Sequence, residues 1–314
     1  MDKNLDTMES SKPQRSVLSV PGHIQKMHLK ASKSNADVIM LDLEDSVPVE
    51  EKENARKVVL SSLKEIDWKG KTISVRINGI DTPFAYRDII SLAEASGSRI
   101  DSFVIPKVNA PSEVHFVSHL LDGIESNIGI KNRIGLELSI ETAEGMENVS
   151  EIARSTARAK SLVFGIADFS ASIGARLISI SGHGEREDEI YPGHRWHYAL
   201  SRMVVSGKAN GLRVIDAPFG NYNDPEGLRK SAGLSLALGC EGKWAIHPSQ
   251  IDVINEVYSP TPEEIERAQK IVEAHLLAEA RGLGAVSLEG RMVDRATIRM
   301  AKDLLSKAKY LELI

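Results

Sequence analysis

Ile134-Gly-Leu-Glu-Leu-Ser-Ile-Glu141 and Leu162-Val-Phe-Gly-Ile-Ala-Asp168 are the two runs whose reading decides the fold. Each has the apolar character of a buried strand and ends on a carboxylate. Between them a helical pattern opens after Thr142 and reaches about Ala157. Strand, helix, strand in that order makes a right-handed βαβ unit with parallel, adjacent strands. Their C-terminal ends then face the same way, so Glu141 and Asp168 are expected side by side on the rim where α/β folds place their chemistry. Two hard oxygen ligands, with positions left for water and substrate, suit Mg²⁺.

Outward from this unit the chain repeats it. Strands are expected to start near residues 16, 37, 72, 102, 134, 161, 212 and 243, each followed by a helix. Eight such units predict an α/β fold of the (β/α)₈ TIM-barrel type. The alternative, an open doubly wound sheet, usually carries a glycine fingerprint in its first turn, and Val20-Pro-Gly-His-Ile-Gln25 has none. In the run Ala36–Asp45, Val38, Met40, Asp42 and Glu44 share one face. In Thr72–Asn78, Ser74, Arg76 and Asn78 share a polar face, which predicts a hydrated or ligand-filled interior. Arg76 is placed to grip a carboxylate with both arms of its fork, or to pair internally with Glu44 or Glu141. Lys107 also falls at a strand end, and the polar run Ser179–Tyr191 reads as an inserted loop. Pro260-Thr-Pro262 marks a linker to two further helices, a segment too short for a core of its own. The expected organisation is an N-terminal arm over 1–14, a barrel over 15–258, and a C-terminal helical lid extension over 259–314.

Composition narrows the setting. The 314 residues are 42% hydrophobic and 26% charged, with net charge −5, which gives no ground for nucleic acid or an anionic membrane as partner. The one cysteine, Cys240, excludes an internal disulfide framework and fits a reducing compartment. No apolar run approaches the ~18 residues of a membrane span. Met1–Gln14 lacks the apolar core of a signal segment, so the expected location is cytoplasmic.

Several segments together resemble one family. Leu41-Asp-Leu-Glu-Asp-Ser46, Val75-Arg-Ile-Asn78, Gly135-Leu-Glu-Leu-Ser-Ile-Glu-Thr142, Phe164-Gly-Ile-Ala-Asp168 and Ala245-Ile-His-Pro-Ser-Gln250 are similar to the citrate lyase β-subunit-like (HpcH/HpaI aldolase) superfamily. Tyr191-Pro-Gly-His-Arg-Trp-His-Tyr198, Asp216-Ala-Pro-Phe-Gly220, Leu238-Gly-Cys-Glu-Gly-Lys-Trp244 and Gly290-Arg-Met-Val-Asp294 resemble its malyl-CoA/β-methylmalyl-CoA/citramalyl-CoA lyase branch. The resemblance implies a Mg²⁺-dependent carbon–carbon lyase, with Mn²⁺ as a substitute, acting on a CoA thioester. It also implies a homotrimer or homohexamer whose lid is exchanged between subunits.

By position, the resemblance makes Glu141 and Asp168 the metal ligands and Arg76 the grip on the 2-oxoacid. Asp294, from the adjacent subunit, becomes the acid/base, although on residue type alone it reads as a helix cap. Lys30 matches a CoA-binding lysine, and Ala167 and Ile246-His247 match a substrate-contacting rim. Glu44 and Asp45 are expected behind the metal or Arg76. Ser19 and Ile24 stand where the family often has an aromatic residue and an arginine for CoA, with His23 or Lys26 as replacement cations. Two other activities remain open on the same residues: hydrolysis of the malyl-CoA thioester, and a CoA-independent HpaI-type aldol reaction.

Overall fold

The computed structural model describes residues 12–130, 132–177, 179, 194–280 and 286–314. Most of the expected inserted loop, the first part of the Tyr191–Tyr198 motif and nearly all of the N-terminal arm lie outside them. Residues Gln14–Tyr258 form one compact unit, and Ser259–Ile314 belong to a second.

In the first unit the strands are β1 (Ser16–Pro21), β2 (Val38–Asp42), β3 (Thr72–Arg76), β4 (Ser102–Ile105), β5 (Gly135–Ile140), β6 (Ala159–Phe164), β7 (Arg213–Asp216) and β8 (Gly242–Ala245). All pair in parallel with their neighbours, and β1 closes on β8, so the sheet is the expected barrel. The helices between them are α1 (Gln25–Ala31), α2 (Lys52–Glu65), α3 (Ala85–Ser96), α4 (Pro111–Ile128), α5 (Ala143–Glu147), α6 (Val149–Ala153), α7 (Ile166–Ser172), α8 (His197–Ala209), α9 (Pro225–Leu238) and α10 (Ile251–Val257). The single helix expected after Thr142 is divided at Asn148. That residue leaves helical geometry (φ −90°, ψ 5°), and its side-chain amide donates to the Asn109 carbonyl. The capping oxygen of α5 is Thr142 Oγ1, which accepts from Gly145 N, so the carboxylate of Glu141 is not spent on a cap.

Alternation along the strands divides the apolar residues into two sets. Ile39, Leu41, Ile73, Val75, Leu136, Leu138, Leu162 and Val214 pack outward with helix residues such as Val59, Leu92 and Val117. Val17, Val38, Met40, Val104, Val163, Ile215 and Trp244 come from strands alone and fill the interior. Below them Glu137, 1% exposed, is bonded by Ser102 Oγ and Ser161 Oγ, so a polar cluster underlies the apolar filling. Above them, Arg76 and Glu141 point into the mouth.

In the second unit α11 (Pro262–Ala280) precedes a two-stranded antiparallel ribbon, β9 (Val286–Leu288) and β10 (Arg291–Val293), and then α12 (Arg295–Tyr310). Ile265, Ala268 and Ala278 of α11 and Ile298, Ala301 and Ala308 of α12 are among its buried positions. Among the described residues no helix is long and apolar enough to cross a membrane.

Candidate active site

Register brings the first two charged groups together. Asp42, last in β2, lies directly opposite Arg76, last in β3. In parallel strands such partners point to the same face. Arg76 Nε donates to Asp42 Oδ1 at 2.6 Å and Nη2 to Oδ2 at 2.7 Å, while Nη1 lies 3.0 Å from Glu44 Oε2. The guanidinium also sits 5.5 Å from the centroid of the Trp244 ring. Its forked grip is therefore on Asp42, a residue the sequence did not single out, and the internal pair expected with Glu44 is present as well. Burial works against the Arg76 charge, but Asp42, Glu44 and Glu141 more than compensate and raise its pKa. Burial likewise opposes ionisation of Asp42, yet Arg76 brings its pKa below the ordinary value.

β2 ends earlier than its sequence suggests, at Asp42, and Glu44 and Asp45 lie in the turn beyond. Asp42 causes the stop: Oδ1 accepts from Glu44 N at 2.9 Å and Oδ2 from Ser46 N at 3.1 Å, folding the chain over its own carboxylate. The buried Lys52 of α2 reinforces the turn by donating to the carbonyls of Leu43 and Glu44. Glu44 then lies between two cations, Arg76 and Lys107, the latter with Nζ 2.5 Å from Glu44 Oε1. Burial pushes the Glu44 pKa up against their pull.

Lys107 ties this cluster to the two rim carboxylates. It follows β4 in a left-handed conformation (φ 51°), and its N–H donates to Glu141 Oε1 at 2.6 Å. Its Nζ lies 3.6 Å from Asp45 Oδ1 and 3.8 Å from Asp168 Oδ2. Asp168 sits in the first turn of α7, just past the end of β6. Glu141 is 4% exposed, and burial raises its pKa from 4.5 to about 7 despite Arg76 and the Lys107 N–H. Among the described residues no hydrogen bond reaches Glu141 Oε2. Gly165 leaves the space beside that oxygen open: a Cβ there would stand 2.2 Å from it.

This donor set fits a hard divalent cation. Asp42, Glu44, Asp45, Glu141 and Asp168 outnumber Arg76, Lys107 and Lys52, and a buried carboxylate held up near neutrality gains most from added positive charge. Among the described residues no three His, Cys, Asp or Glu side chains form a ligand cage. Glu141 and Asp168 would thus leave most positions to water and substrate, as magnesium prefers.

The other expected residues are more dispersed. Ser19 faces the barrel interior from β1, in register with Met40. Lys30 is exposed on α1, and Ala167 adjoins Asp168. Ile246 is 41% exposed; His247 beside it stacks on Tyr222 with centroids 4.8 Å apart and bonds to Ser249, as suits a rim residue. Asp294 caps α12, with Oδ1 accepting from Thr297 N at 2.8 Å and Thr297 Oγ1 at 2.9 Å; these bonds hold its pKa below the ordinary value. Cys240 is buried, and its surroundings push the thiol pKa up, as for a packing residue.

Known proteins resemble this chain. Over 300 residues the chain is 41% identical to the L-malyl-CoA/β-methylmalyl-CoA lyase of Rhodobacter capsulatus, covering 94% of each chain. It is 39% identical over 316 residues to the enzyme of the same name from Cereibacter sphaeroides, covering 99% of each. A crystal structure of protein CitE from Mycobacterium tuberculosis in complex with magnesium, acetoacetate and coenzyme A superposes with a TM-score of 0.73 and 26% identity, covering 96% of this chain and 99% of that one. The HpcH/HpaI aldolase/citrate lyase family model matches residues 15–248, the stretch that carries β1 to β8 with Arg76, Glu141 and Asp168 at their mouth; the chain belongs to that family.

Proposed function

We propose that this protein is a Mg²⁺-dependent carbon–carbon lyase. Its substrate is a 3-hydroxyacyl-CoA bearing a terminal carboxylate: malyl-CoA, β-methylmalyl-CoA or citramalyl-CoA. Cleavage releases acetyl- or propionyl-CoA and glyoxylate or pyruvate, and the reaction is reversible. The observation that carries this reading is the meeting of Arg76, Glu141 and Asp168 at one barrel mouth, with carboxylates in excess. Relatives named as malyl-CoA lyases along nearly the whole chain support it.

In cleavage the bond between C2 and C3 breaks. The C3 hydroxyl loses its proton and becomes the carbonyl of the 2-oxoacid, and the bonding electrons pass to the thioester as an enolate, which takes a proton at carbon. Glu141 and Asp168 would hold the metal, which would supply Lewis-acid polarisation of the substrate oxygens. Arg76 donates two of its five N–H groups to Asp42 and holds Nη1 3.0 Å from Glu44 Oε2, so further donors remain for carboxylate or carbonyl oxygens. Being buried and held on several sides, it offers a preorganised positive charge to those oxygens.

Asp294, supplied by a neighbouring subunit of a homotrimer or homohexamer, serves as the acid that protonates the enolate carbon and as the base in reverse. A carboxylate is a weak base for a thioester α-proton, so this role needs a site from which water is excluded. Lys30, Ser19, Ala167, Ile246 and His247 are assigned to the CoA and substrate rim, with Lys26 or His23 replacing the cation missing at Ile24. Glu44 and Asp45 act behind the metal and Arg76.

The test is an assay of acetyl- or propionyl-CoA with glyoxylate or pyruvate, with and without Mg²⁺, and of malyl-CoA in the cleavage direction. Metal-dependent formation of acyl-CoA and 2-oxoacid in equal amounts is expected. Free CoA without 2-oxoacid would identify a thioesterase instead, and turnover of free hydroxyacids a CoA-independent aldolase.

A further inference from the structure

Lys107 joins both assigned metal ligands through different parts of one residue. Its main-chain N–H reaches Glu141, and its ammonium lies near Asp168, Asp45 and Glu44. The left-handed backbone that aims the N–H is one that glycine adopts freely and lysine does not. The side chain is therefore not explained by the turn. Its surroundings do explain it: the ammonium is the one cation in this cluster that is partly exposed and carried on a flexible stem, 37% accessible against 10% for Arg76. Among the described residues no other ion pair holds Asp168. Arg76 is fixed by Asp42 and Trp244, whereas Lys107 rests on carboxylates of the metal cluster itself.

The geometry points to Lys107 as a tethered counter-cation of the metal-free site, which neutralises Glu44 and Asp168 until a divalent ion binds and thereby sets how tightly that ion is held. The ammonium and the metal are like charges drawn to the same carboxylates, so each weakens the hold of the other. In the metal-bound protein the ammonium withdraws to Glu44 and Asp45, and Glu141 keeps its bond to the Lys107 N–H. Lys107 is thus a positioning residue. This inference rests on the assignment of Glu141 and Asp168 as metal ligands.

Its test is Mg²⁺ binding by titration calorimetry on the full chain stripped with chelator, repeated with Mn²⁺ by electron paramagnetic resonance. Lys107→Met removes the charge and keeps the stem. It should tighten the dissociation constant on the order of tenfold, the change that removing about 1.4 kcal/mol of like-charge repulsion produces. It should also lower the melting temperature of the metal-free protein and enlarge the rise that Mg²⁺ produces. Lys107→Arg keeps the charge and should stay within about twofold of wild type in metal affinity. A merely structural lysine would give the opposite sign, because its loss would loosen the ligands and weaken binding. Lys107→Gln provides a second neutral variant should Lys107→Met not fold. Unchanged or weaker binding in the neutral variants, with wild type binding normally, overturns the role of Lys107 alone. A wild-type protein that binds neither ion overturns the metal assignment and this inference with it.

Discussion

Replacing Glu141 with glutamine should make the metal-free protein more stable while removing its response to metal. Folding carries this carboxyl into a site where its pKa rises from 4.5 to about 7. The native state then binds the proton more tightly than the unfolded chain, so the Glu141 contribution falls as pH rises from about 4.5 towards 7 and is level above that. A shift of that size corresponds to about 3 kcal/mol against the folded state at pH 8. Glutamine keeps the shape and the acceptor for the Lys107 N–H and carries no charge to desolvate. For a domain of this size the gain converts to up to roughly 6–12 °C in melting temperature. The assay is thermal unfolding in chelator at pH 5 and pH 8, then at pH 8 with saturating Mg²⁺. Glu141→Gln and wild type should melt alike at pH 5, and the variant should melt higher at pH 8. Mg²⁺ should raise wild type and leave the variant unmoved. A variant less stable than wild type at pH 8 in chelator would refute the buried-charge argument, and one still stabilised by Mg²⁺ would remove Glu141 from the metal.

Other perturbations probe the same mouth. Asp42→Asn removes the carboxylate that takes the fork of a buried guanidinium, leaving it Glu44, and should destabilise the barrel by about 3 kcal/mol, read by denaturant unfolding; an unmoved midpoint would contradict the forked pairing. Gly165→Ala places a methyl group 2.2 Å from Glu141 Oε2 and 2.3 Å from Glu141 Cβ, so the whole Glu141 side chain must shift and thermal stabilisation by Mg²⁺ should be lost. Asp294→Asn preserves a good N-cap, so the helical circular dichroism should match wild type while turnover is abolished. Undiminished turnover would leave Asp294 only its capping role.

The fold was legible because periodicity in strands such as Ile134–Ile140 is a local property, and the barrel follows from repeating one unit. Glu141, Asp168 and Arg76 were legible for a related reason: strand ends announce the rim. Asp42 was less so. A carboxylate facing inward beside Glu44 was visible, but only the register of β2 on β3 shows which of the two receives the fork of Arg76. Lys107 was noted at a strand end, yet its significance lies in a backbone angle that residue type does not encode. Gly165 and Trp244 gave no signal, since one matters for an atom it lacks and the other for a ring beneath a cation from a distant strand. The break at Asn148 likewise depends on a carbonyl from another loop.

The anchoring of Arg76 has a consequence for selectivity. A free arginine side chain surrenders about 2 kcal/mol of rotamer entropy when a ligand fixes it. Here Asp42, Glu44 and Trp244 impose that loss during folding, so a carboxylate ligand meets a guanidinium that is already immobile. If Arg76 grips the 2-oxoacid as proposed, such a group would meet the charged end shared by glyoxylate and pyruvate with equal force and could not shift to accommodate an extra methyl group. On that proposal, discrimination between the two would have to come from residues that meet the methyl position rather than from Arg76, and changes there should exchange one 2-oxoacid for the other without weakening the grip on either.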